Sequence, residues 1–295
     1  MRWVAKAALQ RGLGLMPQGE RVNYLFQRHV ARSLPGGEPV VRRKLARARQ
    51  HLEAFGRPGE DAVFYEFGAG WDLAIPLSYA ALGVRRQVLV DIRPSARVEL
   101  VNEALTLLDG IQDDDLPPLG GPVSSLGELD ERFGITYLAP RDARATGLES
   151  ESIDFVTSTD VCEHIPEADL AQIFRECRRL LRPGGAVSCR IDLQDHYAYF
   201  DANLSRYHFL HFSDRAWGLV NSPLHFQNRL REPDYLRLVR ESGLEVVSWT
   251  PSGPSAEGLA ELEAMELAPR FRNGYTPEEL GVTVLSFVAQ RRASG

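Results

Sequence analysis

The segment Val63-Phe-Tyr-Glu66-Phe-Gly68-Ala69-Gly70 ends an apolar run in an acid and two glycines. A second apolar run, Gln87-Val-Leu-Val-Asp91-Ile92, ends in another acid about 20 residues further on. Gly68 and Gly70 permit a sharp turn with the backbone close to a ligand, because no Cβ intervenes, and the Asp91 carboxylate is suited to accept hydrogen bonds from ribose hydroxyls. This layout cradles a nucleoside. A dinucleotide fingerprint requires a further glycine three positions after Gly70; Leu73 stands there, which disfavours NAD. Glu66 instead offers an anionic oxygen to a cationic amino-acid group. The second concentration of chemistry is histidine: of 7 in the chain, His164, His196, His208, His211 and His225 share one stretch. A neutral imidazole is the natural proton acceptor near neutral pH.

The order acid-x-Gly-x-Gly resembles the first motif of the class I S-adenosylmethionine-dependent methyltransferases, with Asp72 where that family often carries a third glycine. Later segments follow the family's order. Arg141-Asp142-Ala143, after Ile135-Thr-Tyr-Leu138, resembles the adenine-site motif. Ser152 through Thr159-Asp160-Val-Cys-Glu-His164 resembles the fourth motif, a strand and the loop beside the transferred methyl, and Leu180-Leu-Arg-Pro-Gly-Gly185 resembles the turn into the fifth strand. The resemblance runs over roughly residues 60–292 and implies S-adenosyl-L-methionine as cofactor. It assigns cofactor contacts to Glu66, Gly68, Ala69, Gly70, Asp91, Ile92, Asp142, Ala143, Thr159 and Asp160. It also implies an α/β, Rossmann-like, doubly wound sheet of seven strands, mostly parallel with one antiparallel strand.

Ligands of open α/β sheets sit beyond the carboxyl ends of the strands, which makes His196 and His164 the candidate catalytic bases. The insertion at about 194–231 is rich in aromatics, histidine and arginine and reads as an acceptor-binding lid, with Tyr197, Tyr199, His208, His211, Trp217, Asn228 and Arg229 as its contacts. The plainer reading of the same aromatics, with Phe209 and Phe212, is a second small core. The expected reaction is methyl transfer to an oxygen or nitrogen of a small-molecule acceptor. Two rivals stand beside it. Asp160, Glu163 and His164 with a later histidine resemble the metal site of small-RNA 2′-O-methyltransferases, although no metal is assigned here, and a non-catalytic nucleoside-binding scaffold would keep the same motifs.

The elements that must position these residues alternate. Strands are expected at 62–67, 87–91, 135–138, 153–159, 185–192, 244–250 and 282–290, and helices at 72–82, 95–108, 167–182 and 232–242. Residues 1–58 read as a helical extension to a domain at 59–292. Within it, the basic residues between Val41 and Phe55 are expected on a solvated face, and Trp3, Leu9, Leu13 and Leu15 are expected to pack over the cofactor site. The acidic, proline-containing stretch 110–128 reads as a solvated loop.

With 295 residues, 44% hydrophobic and 25% charged, the chain has material for one sizeable core. A net charge of −6 argues against a dedicated nucleic-acid binder. Cys162, Cys177 and Cys189 have no metal-ligand or disulfide-like spacing, as in a reduced compartment. No long apolar run is present, so no membrane partner and a cytoplasmic location are expected, with the oligomeric state open.

Overall fold

The computed structural model describes residues 2–14, 16, 19–25, 28, 34, 36–56, 58–113 and 116–292. Its centre is a sheet of seven strands: β1 (Val63–Phe67), β2 (Arg86–Val90), β3 (Ile135–Leu138), β4 (Ile153–Thr159), β5 (Leu181–Asp192), β6 (Glu245–Ser252) and β7 (Val284–Gln290). Their spatial order is β3-β2-β1-β4-β5-β7-β6. The first five run parallel, and β7 is antiparallel to both β5 and β6. The chain leaves β1 toward one edge and returns at β4 to build the other half. That reversal opens a crevice at the carboxyl ends of β1 and β4.

Side-chain alternation along each strand explains the two covered faces. Tyr65, Phe67, Val90, Val156, Val187 and Cys189 meet α7 (Glu167–Leu180) and α9 (Glu232–Glu241), where Leu170, Ile173, Phe174 and Cys177 form the apolar stripe that the spacing predicts, completed by Leu180 because Leu181, expected in it, already begins β5. Phe64, Leu89 and Phe155 meet the opposite layer of α3 (Glu38–Ala54), α4 (Ala74–Ala81) and α5 (Val98–Asp109). On that second face, Glu66, Thr157 and Ser188 form a buried polar stripe, continued by Thr159. Helix α4 is buried along its whole length, as its lack of charge requires.

The stretch 110–128 is a largely exposed loop, as expected, pinned at a few points: Asn102 on α5 accepts from the Val123 amide (2.8 Å) and donates to its carbonyl (2.9 Å), while Leu116, Leu119 and Val123 pack on the α3–α5 core. Asp114 and Asp115 lie outside the described residues. Helix α6 (Glu128–Phe133) follows, where the sequence reading placed no helix.

The largest departure from expectation lies beyond β6. Helices α10 (Ala256–Glu263), α11 (Pro269–Gly274) and α12 (Pro277–Gly281) precede β7. Leu262, Phe271 and Leu280 from these helices join Tyr197, Tyr207, Phe209, Leu210 and Trp217 of the 194–231 insertion in a third core. Helix α1 (Arg2–Gly14) closes it. Trp3 packs on Tyr197, His208 and Phe212, and Ser222 donates to the Gln10 carbonyl. The amino-terminal helix therefore packs on the insertion; Leu9 is exposed, and Leu15 lies outside the described residues. Arg231 locks the module to the sheet by donating to the carbonyls of Leu193, Leu280 and Val282. All three cysteines are buried free thiols, and no described helix is long and apolar enough to cross a membrane.

Candidate active site

The nucleoside-type turn forms where β1 ends. Gly68 and Gly70 hold φ of 75° and 82°, and a Cβ at Gly68 would come within 2.5 Å of Val161 Cγ1, so this position accepts only glycine without rearrangement. The Gly68 amide donates to the Val90 carbonyl, tying the turn to β2. Glu66 is 4% exposed and accepts from the Thr157 hydroxyl at 3.2 Å; burial pushes its carboxyl up to about 8. Asp91, one residue past β2, accepts from the Tyr137 hydroxyl at 3.2 Å, and burial raises it to about 7 against that hydrogen bond. Ile92 presents a 64% exposed apolar side chain beside it. The Arg141 amide donates to the Asp91 carbonyl, which brings the segment Arg141-Asp142-Ala143 to the same end of the sheet. Both Asp142 oxygens accept from Arg144, and Ala143 packs against the β1–β4–β5 core.

The basic residues of α3 were expected to face solvent, but three of them turn inward. Lys44 meets Asp72 (2.7 Å), Arg47 meets Asp160 (2.5 Å) and Arg49 meets Asp113 (2.7 Å), whereas Arg42 stays outside with Glu38. Asp160 sits at φ 54° and is also clamped by Arg190. His51, buried on the same helix, bonds Ser188 Oγ (2.7 Å) and Thr159 Oγ1 (3.1 Å), and burial lowers its imidazole to about 4. Tyr24 of α2 (Gly19–Leu25) stacks on Trp71 at 5.1 Å, with Arg97 against both rings. Helices α2 and α3 thus roof the turn, a role that a charge run conceals because each lysine or arginine has its acid elsewhere in the sequence.

Beyond β4, a tight turn of residues Cys162–His164 connects this region to a cluster of histidines. His164 Nδ1 lies 2.7 Å from the Phe226 carbonyl and therefore donates to it, leaving the Nε2 lone pair free to accept. The His164 ring is 4.9 Å from His196 and 6.0 Å from His225, and His196 and His225 are 5.7 Å apart. Tyr199 borders the group 5.6 Å from His196, its hydroxyl donating to Asp192 at 2.5 Å. Glu163 Oε2, His196 Nε2 and His225 Nε2 are buried atoms without a hydrogen-bond partner. Burial depresses His196 and His225 to about 3 each, lowers His164, and drives the Glu163 carboxyl well up, with Asp160 adding to the last. His196 is therefore neutral throughout the physiological range and a weak proton acceptor.

The remaining residues of the expected lid face one another. Tyr197 donates to the Val220 carbonyl, Trp217 to Gln227, and His208 bonds the buried Asp195 at 2.9 Å. Arg229 is 2% exposed, donates to Phe209, Phe212 and Asp214, and lies over Trp217. Asn228 clamps the Cys162–His164 turn by donating to the Cys162 and Ile165 carbonyls. His211, near the surface, bonds the Glu266 carbonyl. The structure thus gathers His164, His196 and Tyr199, and adds Glu163 and His225 to them. Clustering of histidines along the chain hinted at His225, and Glu163 was named only in the rival metal-site resemblance.

A central β1 flanked by β2 and β4, a glycine turn opposite an acid after β2, and an antiparallel β7 inserted beside β5 define the Rossmann-like methyltransferase architecture. The fold is the Rossmann-like one that methyltransferases adopt. A family model described as "Methyltransferase domain" matches residues 127–189, from α6 through most of β5. Among solved structures, geranyl diphosphate C-methyltransferase from Streptomyces coelicolor A3(2) is similar at 15% identity, over 86% of this chain and 82% of that one, with a TM-score of 0.50. A geranyl diphosphate methyltransferase in complex with S-adenosylmethionine is similar at 15% identity over 86% and 90%, TM-score 0.50. A methyltransferase from Methanosarcina mazei is similar at 15% identity over 82% and 98%, TM-score 0.47. At such identities the likeness is one of fold. No curated protein matches the sequence.

Proposed function

We propose that the protein transfers the methyl group of S-adenosyl-L-methionine to an oxygen or nitrogen of a small-molecule acceptor. The observation that carries this reading is the loop after β4. Val161 abuts Gly68 of the nucleoside-type turn, and His164, three residues on, faces His196 and His225. One short segment thereby joins the donor cradle to the histidine cluster.

Glu66, Gly68, Ala69, Gly70, Asp91 and Ile92 are assigned to the donor, with Ala143 and Asp142 beyond the adenine and Thr159 and Asp160 at the loop. Transfer is an in-line displacement: the acceptor lone pair forms the new bond to the methyl carbon, the bond to sulfur breaks with its electron pair going to sulfur, and the acceptor's proton leaves to water. Alignment and exclusion of solvent are what the protein must supply. An oxygen or nitrogen attacks with a lone pair it already has. A carbon acceptor must give up a proton before or after it attacks, and a His196 lowered to about 3 by burial is a poor base for that step. In this reading His164, His196 and Tyr199 touch the acceptor, and the packed Tyr197, Trp217, His208, Asn228 and Arg229 hold the cluster in place.

Calorimetric titration of S-adenosylhomocysteine tests the donor half. Saturable binding weakened by about tenfold or more in Asp91→Ala is expected, as for loss of hydrogen bonds to a charged group. No binding by the intact protein would sink the reading. Radiolabelled methyl transfer to a panel of phenols, amines and carboxylates tests the acceptor half, and His196→Gln should lower turnover while leaving the affinity for S-adenosylhomocysteine unchanged.

A further inference from the structure

The cluster holds a ligand set that methyl transfer alone does not use. One ligand atom from each of Glu163, His164 and His196 falls within 4.8 Å of the others. Donors of one tetrahedral ion, each about 2.0–2.2 Å from it, lie about 3.3–3.6 Å apart, so closing the set draws these atoms together by about 1 Å through side-chain rotation. Two of the three residues also carry a buried atom without a hydrogen-bond partner, Glu163 Oε2 and His196 Nε2, the latter 3.7 Å from Asp192 Oδ2. His225 Nε2, equally unpartnered, borders the same space.

The surroundings are those of a preoriented ligand set. His164 donates Nδ1–H to the Phe226 carbonyl, which fixes the ring and leaves the Nε2 lone pair free, with the His196 ring 4.9 Å away. The turn that carries Glu163 is stapled by Asn228, whose amide nitrogen donates to the carbonyls on both sides and whose backbone amide donates to the Glu163 carbonyl. Glu163 Oε1 accepts weakly from the Asp192 amide at 3.3 Å, leaving Oε2 free. Asp160 does not take part, because Arg47 and Arg190 hold both its oxygens. The resulting donor set, two imidazoles and one carboxylate, differs from the rival metal-site resemblance, which included Asp160.

We propose that Glu163, His164 and His196 bind a divalent first-row transition ion, with His225 beside an open coordination position. Two imidazoles with one carboxylate suit Zn²⁺, Co²⁺ or Fe²⁺ rather than Mg²⁺ or Ca²⁺, which prefer oxygen ligands. The site's existence stands apart from the methyl-transfer reading; its use rests on it. In that use the ion takes an acceptor oxygen at the open position and favours its deprotonated form, the proton passing to water, so no strong side-chain base is needed.

The test is titration of Co²⁺ into untagged, chelator-treated, full-length protein, read by d–d absorption and by metal analysis after gel filtration, with S-adenosylhomocysteine calorimetry alongside. One Co²⁺ per chain is expected, with affinity lowered by about 100-fold or more in His196→Ala and in Glu163→Gln. Absence of a saturable stoichiometric band in the wild type, or unchanged affinity in the folded variants, overturns the site. If either variant fails to fold, proton NMR of the Co²⁺-loaded wild type decides: shifted N–H signals from two coordinated imidazoles are expected, and their absence places the ion elsewhere. S-adenosylhomocysteine binding without Co²⁺ binding removes this proposal alone, and Co²⁺ binding without S-adenosylhomocysteine binding removes the methyl-transfer reading alone.

Discussion

The two halves of the proposed site are built in different ways. The donor half is local: Glu66, Gly68, Gly70 and Asp91 sit on two adjacent strand ends joined by one buried helix, and their spacing survives in any context that keeps the β1–α4–β2 unit. The acceptor half is assembled from distant pieces. The turn after β4, the strap after β5, helix α1 and helices α10–α12 meet around Tyr197, Trp217 and Arg231, whose partners stand tens to hundreds of positions away. A motif is legible when its function needs only neighbours in sequence; a cluster held by long-range carbonyl contacts is not.

That contrast is most exposed at Arg231. The guanidinium is wholly buried and donates to three carbonyls from two distant segments. Arg231→Leu should destabilise the protein by about 3–5 kcal/mol in urea unfolding, because three buried acceptors lose their donor. A loss below about 1 kcal/mol would mean that the acceptor half does not depend on this lock. On the donor side, Gly68→Ala places a Cβ against Val161 with φ at 75°. It should cost about 2–4 kcal/mol through strain and overpacking, and abolish measurable S-adenosylhomocysteine binding. Retained affinity would break the claim that this turn is the cradle.

A pH series sharpens the donor half further. Asp91 is raised to about 7 by burial, and ribose hydroxyls donate to its ionised form. Affinity for S-adenosylhomocysteine should therefore rise roughly tenfold from pH 6 to pH 8, an increase that Asp91→Asn removes. The unliganded stability behaves in the opposite sense. Asp91 and Glu66 have folded-state values above their unfolded ones, so the native state binds more protons, and their contribution falls as pH rises from about 4 toward 8. His51, lowered to about 4, acts the other way: its contribution is present above about 6.5 and is lost as pH drops toward 4. The smallest effect returns to the acceptor half. Ser213 caps α8 (Asp214–Val220) by accepting from the Ala216 amide at 3.2 Å, and Ser213→Ala should cost about 1 kcal/mol without altering S-adenosylhomocysteine affinity.

Particular residues show where sequence reading stopped. The stripe of α7 and the strands β1 and β4 were legible because their apolar periods are local. The α3 basic run misled, since its partners Asp72, Asp160 and Asp113 lie on other elements and only folding brings opposite charges together. Tyr197 and Trp217 read equally well as pocket walls or as core; hydrogen bonds to the Val220 and Gln227 carbonyls place them in the core. Short α10, α11 and α12 escaped notice because five to eight residues carry too little periodicity to distinguish a helix from a loop.

By itself, the sequence determined the alternating sheet and the glycine-acid turn, because strand alternation, helical stripes and a turn that admits only glycine are consequences of residue size and polarity at short range. Tertiary structure alone decided that Glu163 and His225 join His164 and His196 and that Asp160 is withdrawn to two arginines. Those placements depend on which strand ends lie side by side and on which carbonyls the burial of polar atoms forces each side chain to meet.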